Sequence, residues 1–320
     1  MSVRNLDRLF QPRSVAVIGA SDRERSIGAL VMHNLLAAGF DGPVWPVNVR
    51  RARVAGRPAY PDVASLPGTP DLAVICTPAR TVPELTCALG ERGTRAAIVL
   101  SAGLVSGRTA DGRTLQQAML DAARPHLLRI LGPNCLGLLV PGVKLNASFA
   151  HTQALPGRLA FVSQSGALAT AMLDWANSRG IGFSHFISLG DSADVDVGDV
   201  LDYLASDAQT SAVLMYLESV RAARQFMSAA PAASRNKPVV VVKAGRAPEG
   251  ARAASSHTGA LAGSDAVYDA AFRRAGMVRV DTLDDLFDAA ETVAHARPLL
   301  GERLAIVTNG GGAGRGGRSR

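Results

Sequence analysis

The chain has 320 residues, of which 48% are hydrophobic and 5% aromatic, and its formal charge is +7. Single cores rarely grow beyond about 250 residues, so this length predicts two domains. The sequence has no apolar run of the ~18 residues that span a bilayer, and its first residues lack the apolar stretch of a secretory signal. We therefore expect a soluble, cytoplasmic protein.

The basic excess does not favour a nucleic-acid partner. Three of the positive charges belong to Arg315, Arg318 and Arg320 at the extreme end of the sequence. With few aromatic residues and no clustered basic helix, base stacking and groove recognition have little to work with. We expect a phosphorylated small ligand instead, and neither nucleic acid nor membrane as a partner.

The cysteines and histidines do not form a metal-binding or disulfide pattern. Cys76, Cys87 and Cys135 are irregularly spaced without a CxxC pair, and the histidines lack a ligand spacing such as HExxH. We assign no metal and no disulfide.

Short β-branched runs alternate with Ala/Leu-rich stretches of helical length, which is typical of βαβ units around a parallel sheet. The predicted strands are 14–20, 44–48, 72–77, 97–101, 129–131, 159–163, 183–188, 212–217, 238–243, 278–280 and 304–308. The predicted helices are 27–38, 82–92, 113–123 and 167–177, and residues 140–156 are less regular. The pattern predicts an α/β chain with a Rossmann-like domain at 1–140, a second doubly wound domain at 150–298, and the start of a third βα unit at 299–320.

The first predicted turn, from Gly19 to Gly28, follows a strand and opens a helix, as in dinucleotide-binding folds, but its spacing is longer than GxGxxG. The second strand ends in Asn48, Arg50 and Arg51, where an NAD-binding fold usually carries an acidic residue. This favours a ribose that bears a phosphate, as in CoA or NADP. Arginines that merely face water are the alternative.

Two later turns place glycine and small polar residues beside apolar strands, at 132–137 (GPNCLG) and 163–168 (SQSGAL). Backbone N–H groups around Ser165 and Gly166 lie where a helix should begin, and helix N-termini bind phosphate. The alternative is that Ser165 only caps that helix.

His257 lies in an unusual run of small residues, GARAASSHTGALAGS, at 250–264. A neutral imidazole is a competent nucleophile near pH 7, and small neighbours let a phosphate reach it. Glu218, at the end of a predicted strand, is a candidate to hold the other ring nitrogen. The alternative is a solvated histidine with no role in chemistry.

Together these motifs resemble the NDP-forming acyl-CoA synthetases, which are related to the α-subunit of succinyl-CoA synthetase. The resemblance rests on GPNCLG, FVSQSGAL, SLGDSADVD, KPVVVVKAGR and GARAASSHTGALAGSDAVYDAAF, and it extends over residues 9–314. It implies a CoA-binding Rossmann-like domain followed by a flavodoxin-like ligase domain. It also implies a reversible reaction in which acyl-CoA and phosphate give an acyl phosphate, which phosphorylates a histidine that then phosphorylates ADP.

Carried over by position, the resemblance makes His257 the phosphorylated histidine and Glu218 its acidic partner. It implies that CoA lies near Gly19, Ala20, Ser21, Gly28, Asn48, Arg50, Thr77 and Pro78. It places the acyl or phosphate end of the substrate near Asn134, Ser165, Gly166 and Gly259.

The sequence departs from the complete family pattern because it has no ATP-grasp domain, and GRGGRSR stands where relatives continue into a third domain. The resemblance therefore implies that ADP or ATP with Mg²⁺ is bound by a partner ATP-grasp subunit, within a homo- or hetero-oligomer. One alternative is a non-catalytic, ligase-like CoA-sensing module of a protein acetyltransferase. Another is an NADP-dependent dehydrogenase, which leaves the segment around His257 without a role.

Overall fold

The computed structural model describes residues 3–245 and 264–295. The described residues form an α/β structure with two main sheets, which confirms the predicted fold class. The predicted strand at 304–308, and with it the start of a third unit, lies outside the described residues. No helix in the described part of the chain is long and apolar enough to cross a membrane.

The first sheet has five parallel strands in the order β2-β1-β5-β6-β7. These are β1 (Val15–Ile18), β2 (Val44–Val47), β5 (Leu72–Ile75), β6 (Ala96–Val99) and β7 (Arg129–Leu131). All of their residues are buried except Trp45 and Arg129, because helices cover both faces of a parallel sheet. A short antiparallel hairpin, β3 (Arg53–Val54) with β4 (Arg57–Pro58), follows β2.

The helices of this first half are α1 (Leu6–Phe10), α2 (Ile27–Ala37), α3 (Val82–Glu91) and α4 (Leu115–Ala123). Single 3₁₀ turns occur at Ala79–Thr81, Arg124–His126 and Pro141–Val143. Helix α2 begins where the sequence predicts it, because the Ser26 side chain accepts a hydrogen bond from the backbone N–H of Ala29.

Within residues 3–245 and 264–295 the second sheet has seven strands in the order β14-β13-β12-β10-β11-β8-β9. They are β8 (Gly137–Val140), β9 (Leu145–Ser148), β10 (Pro156–Ser163), β11 (Phe183–Ser188), β12 (Ala212–Leu217), β13 (Val239–Lys243) and β14 (Val278–Val280). Strands β10 to β14 are parallel, whereas β8 pairs antiparallel with both β11 and β9.

The described helices of the second half are α5 (Gly166–Ser178), α6 (Val197–Ser206), α7 (Ala223–Asn236), α8 (Asp265–Ala275) and α9 (Leu283–His295). Helix α6 starts with a capping box, in which the side chains of Asp196 and Asp199 each accept the backbone N–H of the other residue.

The stretch predicted to be irregular, 140–156, instead contains β9 and continues from β8. These two strands belong to the second sheet although β8 starts inside the predicted first domain. The end of β9 also contacts the first half, since the buried Asn34 side chain in α2 donates to the carbonyl oxygens of Ser148 and Ala150 at 2.9 and 2.8 Å. The domain limits at 140, 150 and 298 stay predictions.

Candidate functional site

A cleft of about 730 Å³ opens at the carboxyl ends of β1, β2 and β5. Ligands of open α/β sheets gather at such strand ends. Five of the predicted CoA-binding residues line this cleft, which is named the CoA cleft after that prediction: Gly19, Asn48, Arg50, Thr77 and Pro78. Most of its lining is apolar, and its charged lining residues are two arginines and two carboxylates, Arg50, Arg80, Asp62 and Glu84.

The tight turn after β1 depends on glycine. Gly19 has φ +85°, and a Cβ there would lie 2.8 Å from Cγ2 of Thr77. At Gly28 a Cβ would lie 2.0 Å from the carbonyl oxygen of Gly19, so α2 can approach the turn only because residue 28 has no side chain. Gly28 therefore does not line the cleft, but it lets α2 pack against the turn that does.

Ala20 and Ser21, also predicted to contact CoA, do not line the cleft. Ala20 is buried, and its carbonyl oxygen accepts a hydrogen bond of 2.8 Å from the Asn48 side chain. The Ser21 hydroxyl accepts the backbone N–H of Arg23 at 2.9 Å. Both residues contribute to the turn's conformation.

Asn48 organises the basic end of β2. Its side-chain oxygen accepts the backbone N–H groups of Arg50 and Arg51 at 2.8 and 3.0 Å. Arg50 lines the cleft, whereas the guanidinium of Arg51 lies 3.4 Å from the carboxylate of Asp22. The two arginines, which the sequence does not distinguish, therefore have different surroundings in the structure.

A second cleft of about 400 Å³ lies between the carboxyl ends of the two sheets. It brings together four residues predicted for phosphate binding and catalysis: Asn134, Ser165, Gly166 and Glu218. Leu136 and Phe149 add apolar surface to this transfer cleft. The four predicted residues come from three separate parts of the chain, so it is the fold that brings them together.

The N-terminus of α5 faces the transfer cleft through Ser165, Gly166 and Ala167. Ser165 is the N-cap, and its hydroxyl accepts the N–H of Leu168 at 3.3 Å. The first N–H groups of a helix lack partners within it and carry partial positive charge, which suits an oxyanion. The capping role and the phosphate-binding role are therefore compatible at this residue.

Glu218 directly follows β12, and its backbone is fixed by Gln164. The side-chain oxygen of Gln164 accepts the N–H groups of Glu218 at 2.6 Å and Ser219 at 3.0 Å. Its side-chain nitrogen donates to the carbonyl oxygen of Ser219 at 2.9 Å. Gln164 was not predicted as a site residue, because its signal in the sequence is no more than a polar residue between two serines at a strand end.

The turn around Asn134 packs against the 189–193 segment, so two of the quoted motifs meet. Asn134 has φ +56°, and its side chain donates to the carboxylate of Asp191 at 3.2 Å. The N–H of Asp191 donates to the carbonyl oxygen of Pro133 at 2.9 Å. A Cβ on Gly190 would lie 2.3 Å from that same oxygen, so this contact needs glycine. Asp191 also lines the cleft, and the sequence analysis did not single it out.

The two clefts are linked through Ser101. Its hydroxyl donates to the carbonyl oxygen of Thr77, which lines the CoA cleft. Its own carbonyl oxygen accepts the N–H of Asn134 at 3.1 Å, and Asn134 lines the transfer cleft. One buried residue therefore joins the turn that lines the first cleft to the turn that lines the second.

Neither cysteine near the clefts is a nucleophile at neutral pH. Burial raises the pKa of Cys135 to about 12, and burial together with the neighbouring Cys135 raises the pKa of Cys76 to about 12. The described residues contain no cluster of three His, Cys, Asp or Glu side chains that could hold a metal ion.

His257 and Gly259 lie outside the described residues. The chain reaches their segment from β13, where the N–H of Ala244 donates to the carbonyl oxygen of Leu217 at 2.8 Å. Leu217 immediately precedes Glu218, so the described chain stops beside the strand end that carries the predicted acidic partner.

Two family models match parts of this chain. Residues 13–141 match the CoA binding domain family, and residues 156–293 match the succinyl-CoA ligase like flavodoxin domain family. The first match favours CoA over NADP as the ligand of the first domain.

Among curated proteins, the chain is 41% identical to the acetate–CoA ligase [ADP-forming] I subunit alpha of Pyrococcus furiosus, covering 97% of this chain and 68% of that protein. It is 42% identical to the acetate–CoA ligase [ADP-forming] I of Archaeoglobus fulgidus, covering 97% of this chain but 44% of the relative. The chain thus spans less than half of that second protein.

Among solved structures, a dinucleotide-forming acetyl-coenzyme A synthetase 1 of Ca. Korarchaeum cryptofilum, in complex with phosphate and ADP, superposes with a TM-score of 0.90. The two are 38% identical, and the match covers 97% of this chain and 67% of the other. None of these three relatives is named as an acetyltransferase, so they give no support to the sensing-module alternative. The chain belongs to the family of ADP-forming acyl-CoA ligases and corresponds to part of their alpha subunits.

Proposed function

We propose that this chain is the CoA-binding and phosphohistidine component of an NDP-forming acid–CoA ligase. The complete reaction interconverts acyl-CoA, phosphate and ADP with a carboxylic acid, CoA and ATP. The observation that carries the proposal is a pair of clefts, one lined by five of the residues predicted to bind CoA and one at a helix N-terminus beside Glu218.

The chemistry proceeds in two displacements on this chain. An oxygen of phosphate attacks the thioester carbonyl, the C–S bond breaks, and the CoA thiolate leaves as an acyl phosphate forms. A ring nitrogen of His257 then attacks phosphorus, the bond between phosphorus and the acyl oxygen breaks, and the carboxylate leaves. Each displacement is easier than one direct transfer.

The residues of the clefts have distinct roles in this scheme. Arg50 pairs with the 3′-phosphate of CoA, and Gly19, Thr77 and Pro78 let the ligand approach the backbone. Ala20, Ser21, Gly28 and Asn48 hold the turns of this site. This assignment is supported by the position of Arg50 at the cleft and by the hydrogen bonds that fix Asn48.

In the transfer cleft, Ser165 and Gly166 hold the phosphate or acyl phosphate with the N-terminus of α5. Asn134 faces the acyl or phosphate end, and Glu218 fixes the tautomer of His257 through the second ring nitrogen. Gly259 is assigned to the same phosphate-binding set as Ser165 and Gly166. The shared lining of one cleft supports the roles of the four described residues.

Phospho-His257 then transfers its phosphoryl group to ADP on a separate ATP-grasp subunit, which binds the nucleotide with Mg²⁺. The proposal of a separate subunit is supported by the named alpha subunit of Pyrococcus furiosus, of which the chain covers 68%. The functional enzyme is then a hetero-oligomer.

Reconstitution tests this function. The full chain is mixed with an ATP-grasp beta subunit of the family, and formation of ATP from acetyl-CoA, ADP, Mg²⁺ and phosphate is followed. We expect ATP formation that requires phosphate and is abolished by His257→Asn. ATP formation that persists unchanged in His257→Asn would contradict the proposal, and CoA binding without any ATP formation would favour the sensing module.

A further inference from the structure

The side chain of Gln164 joins the two halves of the transfer cleft. Gln164 lies between Ser163, the last residue of β10, and Ser165, the N-cap of α5. Its side chain crosses to the next strand and makes three hydrogen bonds with the backbone of Glu218 and Ser219. A single residue therefore connects the proposed phosphate site with the turn that carries the proposed catalytic carboxylate.

The Gln164 end of this connection is held by hydrogen bonds of residues 163 to 165. The backbone N–H of Gln164 donates to the carbonyl oxygen of Tyr216 at 3.3 Å. The Ser163 hydroxyl accepts the N–H of Ser165 at 3.1 Å and donates to the carbonyl oxygen of Ser165 at 2.8 Å. The Gln164 backbone thus has little freedom, so its side chain reaches the 218–219 turn from a fixed origin.

The far side of the turn is held by α8. The N–H of Val220 donates to the hydroxyl oxygen of Tyr268 at 3.2 Å. The ammonium group of Lys243 lies 4.7 Å from the centre of the Tyr268 ring, and it is buried at the end of β13. The N–H groups of three consecutive residues, 218 to 220, are therefore all satisfied by side chains from other elements.

We propose that Gln164 is a positioning residue for phosphoryl transfer, which sets the place of the Glu218 carboxylate relative to an oxyanion at the N-terminus of α5. This inference rests on the proposed function. Gln164 acts through Glu218 and need not touch the transferred group.

The chemistry of the contact requires an amide of this length. One atom must accept two N–H groups while its neighbour donates to a carbonyl, which a carboxamide does and a carboxylate does not. Asparagine has the same groups, but its side chain is one methylene shorter. Alanine leaves the two N–H groups of the turn without their acceptor, and the turn is then free to shift.

The test measures the rate at which acetyl phosphate places acid-labile phosphate on His257 in the full chain, by mass spectrometry across pH 6–9. A carboxylate beside an imidazole raises the imidazole pKa, so the rate midpoint of Glu218→Gln should move to lower pH. We expect Gln164→Ala to slow labelling roughly tenfold and to move the midpoint in the same direction. Gln164→Asn should show the same direction with a smaller loss.

A double-mutant cycle separates positioning from general damage. If Gln164 acts through Glu218, adding Gln164→Ala to Glu218→Gln should slow labelling by no more than about twofold. Losses that multiply, or a wild-type rate and midpoint in both Gln164 variants, would overturn the inference. An unlabelled wild-type chain would instead contradict the proposed function itself, and this inference with it.

Gln153 provides a matched control. It is a half-buried glutamine whose side chain accepts from Asn146 at 2.8 Å and donates to the carbonyl oxygen of Asn34 at 3.4 Å, away from the transfer cleft. Gln153→Ala should change thermal stability while leaving the midpoint of labelling unchanged. A midpoint that moves equally in Gln153→Ala would show that the effect is structural and would overturn the positioning role.

Discussion

The guanidinium of Arg129, at the start of β7, lies 3.0 Å from the carboxylate of Asp199 in α6. It also lies 3.0 Å from the carboxylate of Asp194, and the Arg129 and Asp199 side chains are only 12% and 5% exposed. Because β7 belongs to the first sheet and α6 packs on the second, this ion pair helps to fix the two sheets against each other. The geometry of the transfer cleft, which draws residues from both, depends on that arrangement.

Replacing Arg129 should therefore cost substantial stability. Arg129→Met leaves the carboxylate of Asp199 buried without its cation, and breaking such a pair costs about 3 kcal/mol of unfolding free energy. Urea denaturation monitored by circular dichroism measures the change. Arg113→Met, which removes an exposed arginine paired within the first half of the chain, is the control and should change stability much less. Equal losses in the two variants would contradict the assigned role of Arg129.

His185 should make the fold sensitive to acid. Burial lowers its pKa from 6.5 to about 4, with Asp207 opposing and Lys237 reinforcing that shift. Below pH 6.5 the unfolded chain binds a proton that the folded chain does not take up until about pH 4. The free energy of unfolding therefore decreases as the pH falls through this window. The loss attributable to His185 should be roughly 2 kcal/mol between pH 7.5 and pH 5.

Urea midpoints at pH 7.5, 6.5, 5.5 and 5 test this dependence. His185→Gln cannot titrate, so its stability should fall less steeply over this range than that of the wild-type chain. Parallel pH profiles for the two proteins would show that His185 is not the group responsible.

Gly28→Ala should disturb the CoA cleft through its supporting helix. The added methyl group would meet the carbonyl oxygen of Gly19, so α2 must move away from the turn after β1. We expect a loss of about 2 kcal/mol in stability together with weaker CoA binding by calorimetry. Gly142→Ala, where an added Cβ meets no atom within 4 Å, is the matched control and should retain both properties. Unaltered CoA affinity in Gly28→Ala would argue against the first cleft as the CoA site.

Arg50 and Arg51 should behave differently towards CoA. Arg50 lines the CoA cleft, whereas Arg51 is paired with Asp22. We expect Arg50→Ala to weaken CoA binding roughly tenfold and to abolish the preference for CoA over dephospho-CoA, since a charge-assisted contact to the 3′-phosphate is lost. Arg51→Ala should keep that preference in the same calorimetric titration. Equal affinity of the wild-type chain for both ligands would remove the proposed role of Arg50.

The parallel strands could be predicted because each is a short β-branched run bounded by turns. The run at 14–20 contains β1, and the predicted 278–280 agrees with β14. Strands β8 and β9 escaped prediction as a pair of the second sheet, because β9 (LNAS) has no β-branched residue. The place of β8 next to β11 depends on pairing with residues about 50 positions away, which no local pattern carries.

The candidate site shows a similar division. Glycine turns and strand ends pointed to Gly19, Asn134, Ser165 and Glu218, because these signals are local. Gln164 and Asp191 were missed, since their importance lies in which distant backbone groups they contact. Likewise, only the structure distinguishes Arg50 from Arg51.

The central claim is that His257 carries a phosphoryl group between an acyl phosphate and a nucleotide. The most direct measurement supplies ATP, Mg²⁺ and an active ATP-grasp subunit to the full chain and locates bound phosphate by mass spectrometry. We predict acid-labile phosphate on His257 that disappears on addition of acetate and CoA and is absent from His257→Asn. Acid-labile phosphate that is still found on the His257→Asn chain, or a wild-type chain that stays unlabelled beside an active partner, would contradict this account.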